Sequence, residues 1–342
     1  MHEPDSHRRS SYDPRRLIAS ILLIIAVLIL LGTAAYSVHA GILPSIGNST
    51  PNSGTTGTTR PAHPVVTCTT PQHSPGDING SITSNHLKRT FLLHLAPSYG
   101  RQPQPLVINY HGYSNNSAGM AHYTNMGAEA DQAGFIVVFP QGVDSPPSWN
   151  AGIGAFGPTG DANDVQFTRD LISYLEKNYC VDAHRIYVTG YSLGGGMAYR
   201  VACTLSNQIA ALATVAGAFY HAPGGCNPSR PVPVLEIHGQ ADMFALYNGN
   251  PPREMAAVSV FLNVWFSHDH CDTHTSKVVF QQGDVTGTEW PHCADGTVVE
   301  HYRISDGGHV WPGSNPISSL GFTTHVINAN VVIWNFFRQF RV

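Results

Sequence analysis

Ser192 stands between two glycines in Arg185-Ile186-Tyr187-Val188-Thr189-Gly190-Tyr191-Ser192-Leu193-Gly194-Gly195-Gly196. The run reads as a β-branched and aromatic strand, a tight turn and the start of a helix, the pattern of a nucleophile elbow. Gly190 and Gly194 are needed because a strand that reverses sharply into a helix leaves no room for side chains on either flank. A serine hydroxyl is a poor nucleophile at neutral pH, so Ser192 requires a base within hydrogen-bond reach and a third group that orients the base. In a strand–elbow–helix arrangement the acid and the histidine follow the serine in that order, each after a later strand. The strand Val234 to His238 runs into Gly239-Gln240-Ala241-Asp242, and Val298 to Arg303 runs into Ile304-Ser305-Asp306-Gly307-Gly308-His309. Asp242 is therefore expected to orient the base, with Asp272, Asp284 and Asp306 as substitutes, and His309 is expected to be the general base.

Attack on a carbonyl builds negative charge on its oxygen, and that charge needs fixed donors. The backbone N–H of Leu193, just after the nucleophile, is the expected first donor. The second is expected from the turn His111-Gly112-Tyr113, most directly the N–H of Tyr113. Trp149, Trp311 and Tyr113 offer aromatic faces for the pocket around the reacting group.

Such groups converge only if strands and helices alternate. Strands are predicted at Thr90 to Leu95, Leu106 to Tyr110, Phe135 to Phe139, Arg185 to Thr189, Ala211 to Ala216, Val234 to His238 and Val298 to Arg303. The run Phe135-Ile136-Val137-Val138-Phe139 has no polar residue at alternate positions, which suits a strand covered on both faces. Asp164 to Asn178 places Val165, Thr168, Leu171, Ile172 and Leu175 on one helical stripe. Gly321 to Phe340 does the same with Val326, Ala329, Ile333, Phe336, Phe337 and Phe340, and a further helix is predicted over Glu254 to Phe266. The fold class is α/β, with a mostly parallel central sheet and helices on both faces.

The charge and its placement exclude one class of partner. Charged residues make up 12% of the chain, the formal net charge is -4, and no long basic run occurs beyond the N-terminal segment, which argues against nucleic acid. Residues 1–16 carry Arg8, Arg9, Arg15 and Arg16 and are expected in the cytoplasm. Residues 17–40 follow, apolar from Leu17 to Leu31 except for Ser20, and form either a transmembrane anchor or a signal peptide cut after Val38-His39-Ala40. Residues 41–67 are rich in Ser, Thr, Gly and Pro and read as a disordered linker. Residues 68–342 are the expected catalytic domain, secreted or anchored on the outer face of the cytoplasmic membrane, which it meets only through the N-terminal segment. All six cysteines lie beyond the apolar run. An even number in an exported chain favours disulfides; of the many pairings open, the expected ones are Cys203–Cys226, Cys271–Cys293 and Cys68–Cys180.

With elbow, oxyanion turn, acid and histidine placed, the chain from Cys68 onward resembles the secreted feruloyl esterase and polyhydroxybutyrate depolymerase family of α/β-hydrolases. The resemblance rests on Pro105-Leu106-Val107-Ile108-Asn109-Tyr110-His111-Gly112, Gly190-Tyr191-Ser192-Leu193-Gly194-Gly195, His238-Gly239-Gln240-Ala241-Asp242 and Gly307-Gly308-His309-Val310-Trp311-Pro312-Gly313. It implies the α/β-hydrolase fold and a hydrolase of carboxylic esters that needs no cofactor and no metal, with Ser192, Asp242 and His309 as its triad. Two departures are expected to matter. Met243-Phe244-Ala245-Leu246-Tyr247 stands where family members often carry Val-Pro-Tyr, so the pocket wall should differ. No appended polymer-binding domain is expected after the last helix, which favours soluble feruloyl, acetyl or short hydroxyacyl esters over crystalline polyester. Polyester depolymerase or serine peptidase action uses the same triad. A surface binding module without turnover is the rival of another class, and His268-Asp269-His270-Cys271-Asp272-Thr273-His274 raises metal-assisted hydrolysis as a further one.

Overall fold

The computed structural model describes Cys68 and residues 73–154, 162–221 and 224–342. The expectations for residues 1–16, 17–40 and 41–67 lie outside these residues. Ten strands and six α-helices follow one another among the described residues: β1 (Gly76–Ser84), β2 (Leu87–Leu95), β3 (Gln104–Tyr110), α1 (Ser117–Thr124), α2 (Met126–Ala133), β4 (Ile136–Pro140), α3 (Asp164–Asn178), β5 (Val181–Tyr191), α4 (Leu193–Thr204), β6 (Ala211–Val215), β7 (Val234–Gly239), α5 (Val258–His268), β8 (Lys277–Gln282), β9 (Val285–Trp290), β10 (Val299–Ile304) and α6 (Ala329–Phe337). The strands form one sheet in the order β1-β2-β4-β3-β5-β6-β7-β10-β9-β8. From β4 to β10 neighbours run parallel. At both ends the pairing turns antiparallel.

The continuous apolar strands are covered on both faces because successive side chains alternate between two cores. In β3, Leu106, Ile108 and Tyr110 enter one core with Leu171 of α3, Met197 of α4 and Phe261 of α5. Val107 enters the other, with Met120 of α1, Ala130 of α2 and Ile333 of α6. A mostly parallel sheet, helices on both faces and a serine turn between β5 and α4 together make the α/β-hydrolase fold.

Several boundaries differ from the sequence reading. β1 was not predicted: its Gly-Asp-Ile-Asn-Gly-Ser-Ile-Thr-Ser run is an edge strand, half covered, with small polar residues at most positions. The hairpin β8–β9, turning at Gly283 (φ 54°), widens the sheet beyond β10 and was also missed. The helix predicted from Gly321 begins only at Ala329, where Asn328 caps it by accepting from the N–H of Asn330 at 2.9 Å. Upstream, Thr324 bonds Asp284 instead, so the periodic Val326 belongs to a loop. The helix predicted from Glu254 begins at Val258, because Glu254 turns left-handed (φ 55°) and the N–H of Ala256 goes to Phe219.

The three disulfides are Cys68–Cys180, Cys203–Cys226 and Cys271–Cys293, the pairs expected. Among the described residues no helix is long and apolar enough to cross a membrane.

Candidate active site

β5 ends at Tyr191 and α4 starts at Leu193, leaving Ser192 alone to reverse the chain, at φ 57° and ψ -123°. This is a strained backbone for a residue with a side chain, and it is held by its surroundings. The Ser192 N–H donates to Val215, and its carbonyl accepts from Gly195, Gly196 and Ala218. A Cβ on Gly190 would run into the Gly194 carbonyl, and one on Gly194 into the Tyr110 carbonyl. The two glycines are therefore a requirement of the turn.

The loop after β7 brings Asp242 up beneath His309, and the loop after β10 brings His309 to Ser192. His309 Nδ1 lies 2.7 Å from Asp242 Oδ2, and Nε2 lies 2.8 Å from Ser192 Oγ. With Nδ1 protonated toward the carboxylate, Nε2 is left to accept from the serine hydroxyl. Asp242 Oδ1 accepts from the N–H groups of Phe244 and Ala245 at 2.8 and 2.9 Å. Burial alone would raise the Asp242 carboxyl, but hydrogen bonds from His238 and His309 outweigh it and hold the group at about 2. The substitute acids Asp272, Asp284 and Asp306 are not the partner of this histidine. Tyr191 donates its hydroxyl to the His309 carbonyl at 2.5 Å, with its ring 4.9 Å from the imidazole. The N–H of His309 donates to Leu320 at 2.7 Å.

Gly112 packs on the elbow so closely that a Cβ there would sit 3.3 Å from Ser192 Cβ. Gly112, Tyr113 and Leu193 border the same cavity as Ser192 and His309, so both expected oxyanion donors belong to residues beside the serine. The turn is fixed from behind by His111, whose Nδ1 donates to Gly112 at 2.8 Å while Nε2 accepts from Gly142 at 3.0 Å. Burial pushes this imidazole down to about 4, so it is neutral and able to do both.

The two tryptophans expected in the pocket are not there. Trp149 is fully buried in the core, where its indole N–H donates to the His111 carbonyl at 2.8 Å, and it therefore buttresses the turn expected to supply an oxyanion donor. Behind it, Arg89 pairs with Asp164 at 2.7 Å, and Asp164 accepts from the N–H of Asn150. Trp311 is buried on the opposite face and donates to Asn330 at 3.0 Å. A tryptophan after a histidine or within a loop motif gives no sign of which way its loop folds. The cavity, about 460 Å³, is instead walled by Tyr113, Tyr220, Phe244, Met255 and Leu320, with Asn115 and Arg253 as its polar members. Of these, Tyr113 is an aromatic expected in the pocket, and Phe244 lies in the Met243–Tyr247 segment where the wall is expected to differ.

Two buried polar residues were also missed. Glu236 and His238 lie on one face of β7, in a strand wholly buried; His238 approaches Asp242, and Glu236 pairs with His238. A glutamate inside an otherwise apolar strand, two residues before a histidine, was the available signal, since positions two apart share a face. Two side chains of the His268–His274 segment have other partners. Cys271 is bonded to Cys293, Asp269 accepts from the Val232 N–H at 3.1 Å, and among the described residues no three metal-ligating side chains are grouped.

Residues 89–225 match the model of the family described as Esterase PHB depolymerase. Feruloyl esterase B of Piromyces equi is 38% identical over 157 residues, covering 44% of this chain and 28% of the relative. A bifunctional acetylxylan esterase/xylanase of Neocallimastix patriciarum is 28% identical over 229 residues, covering 66% and 31%. The chain thus spans about a third of the length of these relatives. Among solved structures, an acetyl xylan esterase from Aspergillus awamori superposes with a TM-score of 0.53 at 15% identity, over 68% of this chain and 94% of that one, a likeness of fold.

Proposed function

We propose that this chain, whose residues 89–225 match the model of the Esterase PHB depolymerase family, is a carboxylic ester hydrolase with Ser192 as nucleophile, His309 as general base and Asp242 as the orienting acid. The observation that carries this reading is the unbroken line from Ser192 Oγ through His309 to Asp242, at 2.8 and 2.7 Å, opening on an apolar cavity. His309 Nε2 takes the hydroxyl proton as Oγ attacks the ester carbonyl carbon. The resulting oxyanion is held by the N–H groups of Leu193 and Tyr113. Collapse breaks the ester C–O bond, the alcohol leaves with the proton from His309, and the acyl group stays on Ser192. Water then gives a proton to His309 and attacks the acyl carbon; the bond to Oγ breaks, Oγ takes the proton back from His309, and the acid is released.

The proposed substrates are feruloyl, acetyl or short hydroxyacyl esters. The names of the relatives support the first two. The faces of Tyr220 and Phe244 suit a flat, apolar acyl group. The family's polyester members favour the third, so hydroxybutyrate oligomers are the second substrate to try. The proposal includes export, secreted or held on the outer face of the cytoplasmic membrane. The three disulfides and the apolar run Leu17 to Leu31 support it. Purified protein is assayed on methyl ferulate, acetylated xylan, hydroxybutyrate oligomers and p-nitrophenyl esters. Turnover that ceases when a serine-directed phosphonate labels Ser192 is expected; a silent panel removes the proposal.

A further inference from the structure

Asp242 is approached by two imidazoles. At the same oxygen that meets His309, His238 Nε2 lies 3.4 Å from Asp242 Oδ2; it also lies 2.7 Å from the Ala245 carbonyl, while Nδ1 lies 2.8 Å from Glu236 Oε1. Both ring nitrogens of His238 therefore face only acceptors. A neutral imidazole has one bare nitrogen, which would point its lone pair at an oxygen unless that oxygen carried the proton itself; with Glu236 ionised, both nitrogens of His238 carry hydrogen. Glu236 is the counter-charge. Its Oε2 lies 2.7 Å from His301 Nδ1, off the line of a hydrogen bond, and its backbone carbonyl is 3.3 Å from the same nitrogen. His301 Nε2 in turn faces the Tyr247 hydroxyl at 2.8 Å.

We infer that Glu236 and His238 form a buried carboxylate–imidazolium pair that helps to hold Asp242 in place and tunes the working pH of the relay, both acting as positioning residues. This rests on the proposed roles of Ser192, His309 and Asp242. With Oδ1 fixed by two backbone N–H groups and Oδ2 shared between two imidazoles, the carboxylate has no free rotation. Glu236 matters as much as His238. A lone imidazolium beside Asp242 would draw the carboxylate's charge away from His309 just as that ring becomes cationic, and the glutamate offsets it. Burial works against the charged form of each, yet the mutual charge and hydrogen bonds pull Glu236 down and raise His238 to about 10. The titratable and charged groups facing the cluster are Glu236 itself, Asp242, His309 and Tyr191, with His301 and Tyr247 behind, and Arg303 near Tyr247.

The test compares wild type, Glu236→Gln and the double variant Glu236→Gln/His238→Gln, all of similar volume, on one ester from the panel. In the double variant both charges go, and the cation lost was the nearer to His309. Protonated His309 is then easier to form, so the acid limb of kcat/KM moves to higher pH by roughly half a unit. Glu236→Gln alone leaves His238 uncompensated and moves the limb the other way. In both, kcat falls about tenfold while KM holds. Near-ultraviolet circular dichroism verifies the fold, and labelling of Ser192 by phosphonate counts intact sites. Folded variants with an unmoved limb, whatever their melting temperature, overturn the inference. Absence of turnover in the wild type would instead remove the proposed hydrolase.

Discussion

At the scale of single residues, the reading depends on which protons sit where. Removing the proposed nucleophile by Ser192→Ala should lower turnover by about four to six orders of magnitude with the fold retained, measured on p-nitrophenyl acetate. Asp242→Asn tests orientation. The amide still occupies the space and can accept from Phe244 and Ala245, but its other end can present N–H to His309 Nδ1 and turn the imidazole to the wrong tautomer. A fall in kcat of about 10⁴ with little change in KM is expected. A loss below tenfold would point to another acid.

At the scale of elements, the elbow and the oxyanion turn are built by backbone crowding. Gly194→Ala puts a methyl against the Tyr110 carbonyl at the end of β3, which cannot move without disturbing the middle of the sheet. Destabilisation of roughly 2 to 3 kcal/mol is expected, read from urea unfolding. Trp149→Phe preserves most of the volume under the oxyanion turn but deletes the hydrogen bond to the His111 carbonyl. Stability should drop by about 1 kcal/mol. Turnover should drop as well, because the donor turn loses its support, and a variant that melts lower with unchanged kcat would separate Trp149 from the chemistry.

For the whole molecule, charge and covalent links set the range of stability. His238 holds its proton more tightly in the folded chain than the ordinary 6.5 of a free imidazole, so its contribution is complete below that pH and is lost as pH rises through about 10. Asp242 acts at the other end: its contribution is present above the ordinary 3.8 and disappears as pH falls toward about 2. Melting temperatures of the wild type against Glu236→Gln/His238→Gln should therefore converge between about pH 7 and 10. Cys68–Cys180 joins residues 112 apart, and closing so long a loop in the unfolded chain is worth about 5 kcal/mol in the chain-entropy model. Cys68→Ala/Cys180→Ala should lower the melting temperature more than the equivalent change at Cys203 and Cys226, which are 23 apart.

The primary chain by itself determined the central strands and pointed to the proposed order of nucleophile, acid and histidine. A β-branched strand into Gly-Tyr-Ser-Leu-Gly, and acid and histidine after later strands, are local patterns, since backbone sterics and hydrophobic periodicity act over a few residues. What lay beyond it were contacts between segments far apart in the chain. Whether Trp149 and Trp311 face the cavity or the core, which aromatic groups wall that cavity, and that His238, paired with Glu236, meets Asp242 depended on how loops pack across the sheet. The helix predicted from Gly321 shortened to Ala329 for the same reason: Thr324 and Asn328 found tertiary and capping partners that local periodicity does not register. Spacing along a chain specifies turns and faces, but the direction a loop takes over a sheet is settled by the packing and hydrogen bonds available only once the sheet exists.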